Sequence, residues 1–544
     1  MVYWERNAVR EKCPQMDQIC IIGENKMQLP FSDADRVAAI RSEINESDRL
    51  ITKAFENRMN ASCAMAQVKI EKNLPVYDAA REEERLNSVM TGDYAEAKRA
   101  LYQTIMRESR RQQRLISAKT LKDADGSYAG GRGLIGEHLS HSLSSELHAL
   151  LGTPDYRLWE LSSDELPSFL QLGRFSGANV TIPYKTTVFA YCRKVSDAAA
   201  RIGAVNTLRR ESDGSLSGFN TDYLGFAYLM QRLGVPVQGK TVLVLGSGGA
   251  SKAVQYVLEL FGAKTVVISR SGPENYETVY RHTEAELLIN TTPVGMYPRE
   301  CACPVDLKKL PGIRGVIDLI YRPYRTRLLL EAERLGIPCM GGLPMLVAQG
   351  VASAAIWDGG EEEMPDPRVA EPLIRNLEDR FLNLVLIGMP GSGKSTQARY
   401  LNYALRRPNY DTDLAFKYTH LCEPSDYIRQ YGEEAYREEE TAVVREIGRL
   451  TGVIIATGGG AVLRQENWDA LRQNGKIIFL RRPLEALSTF NRPLSADKQK
   501  LHELEKQRMP IYRELCDVEI PVEESSRQTA DKILRILGLT QYAR

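Results

Sequence analysis

The chain has 544 residues, of which 43% are hydrophobic and 26% charged, and its formal net charge is +1. This length exceeds what one hydrophobic core can organise and predicts about three domains. The near-zero charge gives no overall field for nucleic acid or for an anionic membrane, so neither is an expected partner. No apolar run approaches the roughly 20 residues of a membrane span. The nine scattered cysteines are typical of a reduced cytoplasmic protein.

The first periodic segment runs from Asp33 to Pro75. Apolar residues recur there at spacings of three, four and seven, which predicts one long helix. Asn73 and Pro75 terminate this helix. A helix of this length cannot bury its apolar stripe alone, so we expect it to pack against a second copy of the chain in a homodimer.

The basic residues on this helix are compatible with an anion site or with a solvated, salt-bridged helical dimer that has no chemistry. Arg58 and Lys69 are eleven residues apart and share one face. Arg41 lies about 25 Å from Arg58 along the axis and is turned away, so it could reach only the equivalent site of an antiparallel second copy. Together with the later string Pro75-Val76-Tyr77-Asp78-Ala79-Ala80-Arg81-Glu82, residues 33–116 resemble the all-helical chorismate mutases.

This resemblance implies a binding site for chorismate. Arg58, with Arg41 from the second copy, would clamp the two carboxylates. Lys69 and Gln113 would bind the ether oxygen whose bond breaks, because the rearrangement needs orientation and charge stabilisation rather than an acid or a base. The other pocket residues would be Asp78, Arg81, Glu82 and Ser109. An open alternative is a dimerisation and ligand-sensing module that binds chorismate or prephenate without turnover.

Short strands alternate with helices after residue 126. The run Thr241-Val242-Leu243-Val244-Leu245 leads into Gly246-Ser247-Gly248-Gly249-Ala250 and a helix. That order presents the backbone N–H groups of Gly246, Gly248, Gly249 and Ala250 to a pyrophosphate. The next strand ends in Ser269-Arg270-Ser271, where an arginine with hydroxyl neighbours suits a 2′-phosphate and favours NADP(H) over NAD.

Residues 133–360 resemble the shikimate dehydrogenases. The resemblance implies that Lys185 and Asp222 are the catalytic pair, since an ammonium beside a carboxylate can donate a proton to a ring ketone. The implied substrate ligands are Ser140, Ser142, Thr181, Asn206 and Gln349. The segment 271–287 is shorter than the strand and helix that the family usually has there. An open alternative is a dehydrogenase that acts on quinate with NAD.

A phosphate-binding loop follows the strand-like run 382–387. It reads Gly388-Met389-Pro390-Gly391-Ser392-Gly393-Lys394-Ser395, with a helix behind it. Lys394 would bind the β and γ phosphates of ATP, and Ser395 would ligate Mg²⁺. The loop's nucleotide ligands would be Gly391, Ser392, Gly393, Lys394, Ser395 and Thr396.

Residues 383–540 resemble the shikimate kinases. The motifs that carry this resemblance are Asp411-Thr412-Asp413, Tyr436-Arg437-Glu438-Glu439-Glu440, Gly458-Gly459-Gly460 and Asn491-Arg492-Pro493-Leu494. Asp413 would accept or orient the hydroxyl proton, Asp411 would assist magnesium, and Arg492 would stabilise charge on the transferred phosphate. The other implied shikimate ligands are Arg437, Gly459, Gly460 and Arg508. A further lid arginine of the family is Glu485 here, and the lid segment is short.

The predicted architecture is therefore multidomain. It comprises an unassigned extension (1–30), an all-α mutase-like domain (31–125), a two-lobed α/β dehydrogenase (126–380; substrate lobe about 131–225 and 345–380, Rossmann-like NADP lobe about 226–344) and an α/β P-loop kinase (381–544). We expect a cytoplasmic enzyme of aromatic amino acid biosynthesis that reduces 3-dehydroshikimate, phosphorylates shikimate and rearranges chorismate to prephenate. Its cofactors would be NADP(H), ATP and Mg²⁺. The gain from fusion would be fixed expression ratios rather than channelling.

Overall fold

A computed structural model of the chain describes residues 33–71, 85, 98–99, 101–102, 104–106, 109, 130–137, 139, 142–173, 175–487 and 498–542. The chain divides into two compact units, residues 1–127 and 128–544. In the first unit, helix α1 (Asp33–Glu71) confirms the predicted long helix. Its apolar residues Ile44, Ile51 and Phe55 are 54%, 59% and 38% exposed. Much of the predicted stripe is therefore open to solvent in the single chain.

A six-stranded mixed sheet opens the second unit. Its strands are β1 (Gly131–Gly136), β2 (Arg157–Glu160), β3 (Phe175–Val180), β4 (Lys194–Val195), β5 (Thr207–Arg210) and β6 (Leu216–Phe219). Their order is β2-β1-β3-β5-β6-β4, with β1 parallel to β3 and β5 antiparallel to both neighbours. Strand β3 is buried at five of its six residues, as expected for a strand covered on both faces.

A five-stranded sheet follows, in which every described pairing is parallel. Its strands are β7 (Thr241–Leu245), β8 (Lys264–Ile268), β9 (Leu287–Asn290), β10 (Gly315–Asp318) and β11 (Cys339–Met340). The order β11-β10-β9-β7-β8 places the chain reversal between β7 and β9. Ligands of such sheets bind where the strand order reverses, beyond the carboxyl ends, so the glycine turn after β7 is in the expected position.

Helices join the two sheets. They are α2 (Ser144–Leu150), α3 (Leu166–Leu172), α4 (Asp197–Ile202), α5 (Asp222–Leu233), α6 (Gly249–Leu260), α7 (Arg327–Arg334), α8 (Leu343–Trp357) and α9 (Pro367–Phe381). Helices α5 and α8 pack closely at Gly225. A Cβ at this position would lie only 2.6 Å from the carbonyl oxygen of Met345. This contact brings the first turn of α5 and the middle of α8 towards the same site.

The third sheet, which is parallel, forms the C-terminal part. Its strands are β12 (Asn383–Ile387), β13 (Asn409–Asp411), β14 (Ile454–Ala456), β15 (Gly475–Arg481) and β16 (Val518–Pro521), in the order β13-β14-β12-β15-β16. The surrounding helices are α10 (Lys394–Leu405), α11 (Thr412–His420), α12 (Pro424–Tyr431), α13 (Glu433–Gly448), α14 (Gln465–Asn474), α15 (Lys498–Leu515) and α16 (Ser526–Ile536). Strand β12 is buried throughout, as befits the centre of a parallel sheet.

The third sheet meets the second at the junction of α14 and β15. Asn474 Oδ1 accepts from the Tyr324 N–H at 2.9 Å, and Asn474 Nδ2 donates to the Tyr297 hydroxyl at 2.6 Å. Arg449 pairs at 2.5 Å with Glu300, which is only 2% exposed. The contacts on the dehydrogenase-like side come from the loops that follow β9 and β10. The two folds are therefore joined by partly buried polar contacts rather than by a linker alone.

Among the described helices, none combines the length and the apolar character needed to cross a membrane.

Candidate active sites

The predicted proton-transfer pair is assembled in the structure. Lys185 follows β3 and Asp222 opens α5, and their side chains meet with Lys185 Nζ 2.5 Å from Asp222 Oδ2. Both side chains are largely buried, at 17% and 8% exposure. A charge-assisted hydrogen bond of this length holds the ammonium and the carboxylate in one fixed arrangement.

The amide of Asn206 orients the carboxylate of this pair. Asn206 Nδ2 donates to Asp222 Oδ1 at 2.8 Å, while Asn206 Oδ1 accepts from the Thr221 N–H at 2.7 Å. Because a backbone donor fixes the oxygen side of the amide, its NH₂ must point at the carboxylate. Gln349 Oε1 lies 3.4 Å from the Thr221 hydroxyl. The structure therefore brings Asn206 and Gln349 to the Lys185–Asp222 pair.

Thr181 is fixed at the end of β3, four residues before Lys185. Its N–H donates to the Ile135 carbonyl at 2.9 Å. A Cβ on Gly136 would lie 2.6 Å from Thr181 Cγ2, so only glycine permits this approach. Ser142 is partly buried, with its hydroxyl 3.0 Å from that of Ser144. Ser140 lies outside the described residues.

The glycine turn after β7 lies beside Lys185. Gly246 has a φ of +106°, and a Cβ there would lie 2.7 Å from Thr291 Oγ1. Gly249 begins α6, and a Cβ on it would lie 3.8 Å from Lys185 Cδ. A helix N-terminus without side chains in its way fits the pyrophosphate of a dinucleotide. Gly248 and Ala250 flank Gly249 in this turn.

Ser269 and Arg270 lie at the carboxyl end of β8, the edge strand of the same sheet. Arg270 is exposed, and the Ser269 N–H donates to the Glu274 carbonyl at 3.0 Å. Between β8 and β9 the chain forms only the 3₁₀ turn Val279–Arg281, in line with the short segment noted in the sequence. An exposed guanidinium at this strand end suits a 2′-phosphate.

The phosphate-binding loop has the backbone that its sequence predicts. Gly391 and Gly393 have φ values of +86° and +97°, which favour glycine. Lys394 is 8% exposed, and its Nζ donates to the carbonyls of Gly388 and Met389 at 2.8 and 3.0 Å. The ammonium is therefore folded back along the loop. The open N-terminus of α10, with Ser392, Ser395 and Thr396 around it, fits the phosphates of ATP.

An oxygen pair lies beside this loop. Ser395 Oγ donates to Asp411 Oδ2 at 2.6 Å. Asp411 Oδ1 in turn accepts from the N–H groups of Asp413 and Leu414 and so caps α11. Hydroxyl and carboxylate oxygens are the ligands that Mg²⁺ prefers, so this pair fits the predicted metal role.

Three consecutive glycines bring the predicted shikimate ligands together. A Cβ on Gly458 would lie 2.5 Å from Asp413 Oδ1, and one on Gly460 would lie 2.6 Å from Arg437 Nη1. A Cβ on Gly459 would lie 2.8 Å from Pro390 Cγ in the phosphate loop. Each glycine thus makes room for a different part of the site, and Asp413, Arg437 and the phosphate loop converge on one short segment.

Two guanidinium groups, one buried and one partly buried, give this site its positive charge. Arg437 donates to Glu440 and Glu433, both at 3.0 Å. Burial opposes ionisation of Arg437, but these carboxylates outweigh it and raise the pKa. Arg508 is 6% exposed and donates to the Gly459 carbonyl at 2.9 Å, while its Nε has no partner among the described residues. A buried cation with a spare donor suits a carboxylate ligand.

The predicted mutase residues are only partly described. Arg41 and Arg58 are exposed on α1. Lys69 lies in α1, and Ser109 is helical and 5% exposed. The remaining predicted residues, Asp78, Arg81, Glu82 and Gln113, lie outside the described residues, as does the predicted lid residue Arg492. Glu485 forms part of the 3₁₀ turn Leu484–Ala486.

Three buried hydroxyls were not predicted from the sequence. Thr207, Thr221 and Ser353 lie within 3.2 Å of one another beside Asn206. A signal for one of them exists in the chain, because Ser353 follows Gln349 by four residues on the otherwise apolar helix α8. Residues four apart share a helix face, so Ser353 belongs to the face of a predicted ligand.

Comparison with known proteins identifies a family for each part of the chain. Family models match residues 40–114 for chorismate mutase type II, 134–208 for the shikimate dehydrogenase substrate binding domain and 390–538 for shikimate kinase. A shikimate dehydrogenase (NADP(+)) of Clostridium beijerinckii is 36% identical over 270 residues, which cover 46% of this chain and 98% of that protein.

Two further relatives match the dehydrogenase part of this chain. A shikimate dehydrogenase (NADP(+)) of Thermus thermophilus is 37% identical over 44% of this chain and 96% of its own length. The crystal structure of a chorismate mutase/shikimate 5-dehydrogenase fusion protein from Clostridium acetobutylicum is 36% identical, with a TM-score of 0.43, over 46% of this chain and 97% of that chain. The identity to two shikimate dehydrogenases over nearly their whole length shows that the chain belongs to the shikimate dehydrogenase family. The family models add chorismate mutase and shikimate kinase domains, so the chain is a multifunctional shikimate-pathway enzyme.

Proposed function

We propose that Lys185 and Asp222 carry the proton transfer in the reduction of 3-dehydroshikimate to shikimate. The observation that carries this proposal is the 2.5 Å ion pair beside the glycine turn at the start of α6. NADPH, when bound, supplies the hydride. The Lys185 ammonium donates the proton that the carbonyl oxygen needs, and Asp222 holds that ammonium and a substrate hydroxyl in place. Arg270 selects the 2′-phosphate and with it NADP(H).

Replacement of Lys185 tests this proposal. Lys185→Met should lower the turnover number of the dehydrogenase by about 10²–10⁴-fold, the usual contribution of a positioned acid. The kinase activity of the same preparation is the control for folding and should be unchanged. Full reduction of 3-dehydroshikimate by the Met variant would contradict the assignment. Initial rates with quinate and NAD, measured alongside, test the alternative substrate and cofactor.

The kinase site binds shikimate between Arg437, Arg508 and the glycine segment 458–460. The spare Nε donor of buried Arg508 carries this assignment. ATP, when bound with Mg²⁺ at Ser395 and Asp411, supplies the phosphoryl group. Asp413 orients the acceptor hydroxyl and takes its proton, Lys394 binds the phosphates, and Arg492 stabilises the charge that develops on transfer.

Arg508 and Lys394 have different expected effects in kinase assays. Arg508→Lys should raise the KM for shikimate by tenfold or more, because a point charge replaces a planar group of donors. Lys394→Met should lower turnover with little change in that KM. A normal KM for shikimate in the Arg508 variant would show that the carboxylate binds elsewhere.

The N-terminal domain converts chorismate to prephenate as a homodimer in which α1 pairs with a second copy. The exposed apolar residues Ile44, Ile51 and Phe55 support the pairing, since such a stripe is stable only when covered. Arg58→Ala should abolish prephenate formation without changing the dimer mass in sedimentation. Absence of mutase activity in the unsubstituted chain would instead favour the sensing module.

The cytoplasmic location is likewise a proposal, and cell fractionation tests it.

Shikimate passes from the dehydrogenase to the kinase through solution. The domain contact lies at Asn474, before the first residue of β15, whereas the phosphate loop follows the carboxyl end of the neighbouring strand β12. At about 3.3 Å per residue these positions are roughly 16 Å apart, at the amino and carboxyl ends of the strands. Unlabelled shikimate should therefore dilute label that passes from 3-dehydroshikimate to the phosphorylated product. Failure to dilute it would show channelling.

A further inference from the structure

A single buried hydroxyl connects four elements of the dehydrogenase site. Ser353 on α8 is completely buried. Its Oγ lies 2.8 Å from Asn179 Nδ2, 2.9 Å from Thr207 Oγ1 and 3.0 Å from Thr221 Oγ1, and it donates to the Gln349 carbonyl at 2.8 Å. The partners come from β3, β5, the residue before α5, and α8 itself.

The partners of Ser353 either lie close in the chain to a residue that acts in the proposed reaction or are such a residue themselves. Thr207 follows Asn206, and Thr221 precedes Asp222. Asn179 lies on β3, which leads into Lys185, and Gln349 is itself a proposed substrate ligand. The hydroxyls of Thr207 and Thr221 belong to the same network and contact Asn206 directly. A change at Ser353 therefore reaches the catalytic pair through several short routes.

The hydrogen bonds of Ser353 determine which acceptors the neighbouring threonine hydroxyls can donate to. Each hydroxyl has one proton, and that of Ser353 goes to the Gln349 carbonyl. Its oxygen can then accept from Asn179 and from one of the two threonines. The other threonine keeps its proton for Asn206 Oδ1, which lies 3.1 Å from Thr207 Oγ1 and 3.2 Å from Thr221 Oγ1.

The orientation of the Asn206 amide depends on these donors. Its oxygen is surrounded by the Thr221 N–H and the threonine hydroxyls, so its NH₂ faces Asp222 Oδ1 at 2.8 Å. A buried donor that loses its acceptor seeks another partner or shifts, because an unpaired polar group in the interior is costly. Without the Ser353 oxygen, both threonine protons would be directed at Asn206 Oδ1, and Asn179 Nδ2 would keep only Thr207 Oγ1, at 3.3 Å, as an acceptor among these hydroxyls.

We infer that Ser353 is a positioning residue of the dehydrogenase, which fixes the Asn206 amide and thereby the Lys185–Asp222 pair in the orientation needed for reduction of the ring ketone. This inference rests on the proposed roles of Lys185 and Asp222. Ser353 itself would contact neither the substrate nor the cofactor. Its replacement should therefore change the turnover number and the binding of the ring substrate, and not the binding of NADPH.

Replacement of the hydroxyl in the full-length chain tests the inference. Ser353→Ala should lower the dehydrogenase turnover number about tenfold and raise the KM for 3-dehydroshikimate about threefold. The KM for NADPH and the kinase turnover should stay within twofold of the parent chain. The matched control is Ile356→Val, which removes one methylene from another fully buried residue of α8 and should leave all four constants within twofold.

The result that would overturn the inference is a turnover number of Ser353→Ala within twofold of the parent chain. An equal loss of turnover in Ser353→Ala and Ile356→Val would overturn it as well, since packing alone would then explain the effect. Lys185→Met, assayed in parallel, separates this inference from the proposed function. If Lys185→Met retains full turnover, the catalytic pair is wrong whatever Ser353→Ala does.

Discussion

His148 should make the stability of the dehydrogenase domain depend on pH. The side chain is fully buried on α2, its ring stacks on Tyr156 at 4.1 Å, and neither ring nitrogen has a hydrogen-bond partner among the described residues. Burial lowers its pKa from 6.5 to about 4, against an opposing interaction with Asn179 and with a smaller lowering by the charge of Arg132. The folded domain therefore holds a neutral imidazole at pH values where the unfolded chain binds a proton.

The sign and size of the effect follow from linkage. Between pH 6.5 and 4 the unfolded state binds more protons at this residue, so stability is lost as the pH falls through that window. The full shift of about 2.5 pH units corresponds to about 3 kcal/mol. Between pH 7 and pH 5 the two titration curves give a loss of about 2 kcal/mol. His148→Phe keeps a planar ring but removes this contribution.

Urea unfolding at pH 7 and pH 5, followed by tryptophan fluorescence, measures the difference. The relevant transition is the one that NADPH shifts to higher urea, since a ligand stabilises only the domain that binds it. His148→Phe should lose about 2 kcal/mol less than the parent chain between the two pH values, and any constant cost of the substitution cancels in this comparison. His502→Phe, at a side chain that is 70% exposed, is the control and should behave as the parent. The reasoning is refuted if His148→Phe and the parent chain lose stability equally.

Three other changes have defined outcomes. Asp318 is fully buried, and burial raises its pKa to about 6. The folded state of the parent then binds the extra proton at pH 5 and loses it by pH 7, so the unfolding free energy of Asp318→Asn should rise by about 1 kcal/mol relative to the parent between pH 5 and pH 7 in the same urea assay. An unchanged difference between the two proteins would contradict this. Gly460→Ala should raise the kinase KM for shikimate tenfold or more, because the new Cβ would lie 2.6 Å from Arg437 Nη1, while the dehydrogenase rate serves as the internal control. Asn474→Ala should lower the unfolding free energy by about 2 kcal/mol, since it leaves the partly buried Tyr324 N–H and Tyr297 hydroxyl without their partner. Calorimetry that shows no loss would mean that the domain contact is weak.

Local patterns in the sequence were sufficient for elements that short-range rules determine. The spacing of apolar residues from Asp33 onwards predicted α1, which the structure gives as Asp33–Glu71. The order of strand, glycine turn and helix predicted the loops at Gly246 and Gly391, where positive φ values require glycine. The meeting of Lys185 and Asp222, 37 residues apart, came from resemblance to a family and not from spacing.

Features that depend on distant segments were not predicted. Ser353 and Asn179 are 174 residues apart, and nothing in either local sequence indicates that an α8 hydroxyl would reach β3. Asn474 and Tyr324 are 150 residues apart and belong to different domains. In both cases the hydrogen bonds follow from how complete elements pack, so a sequence could at most mark these residues as polar groups in apolar surroundings.

Parallel assays of three single substitutions test most directly whether the chain contains three independent pockets. Lys185→Met, Lys394→Met and Arg58→Ala are each assayed in full-length protein for reduction of 3-dehydroshikimate, phosphorylation of shikimate and formation of prephenate. We predict that each variant loses one activity, in that order, and keeps the other two within twofold of the parent. A substitution that removes two activities together, or a variant that keeps the activity assigned to its pocket, would contradict the account.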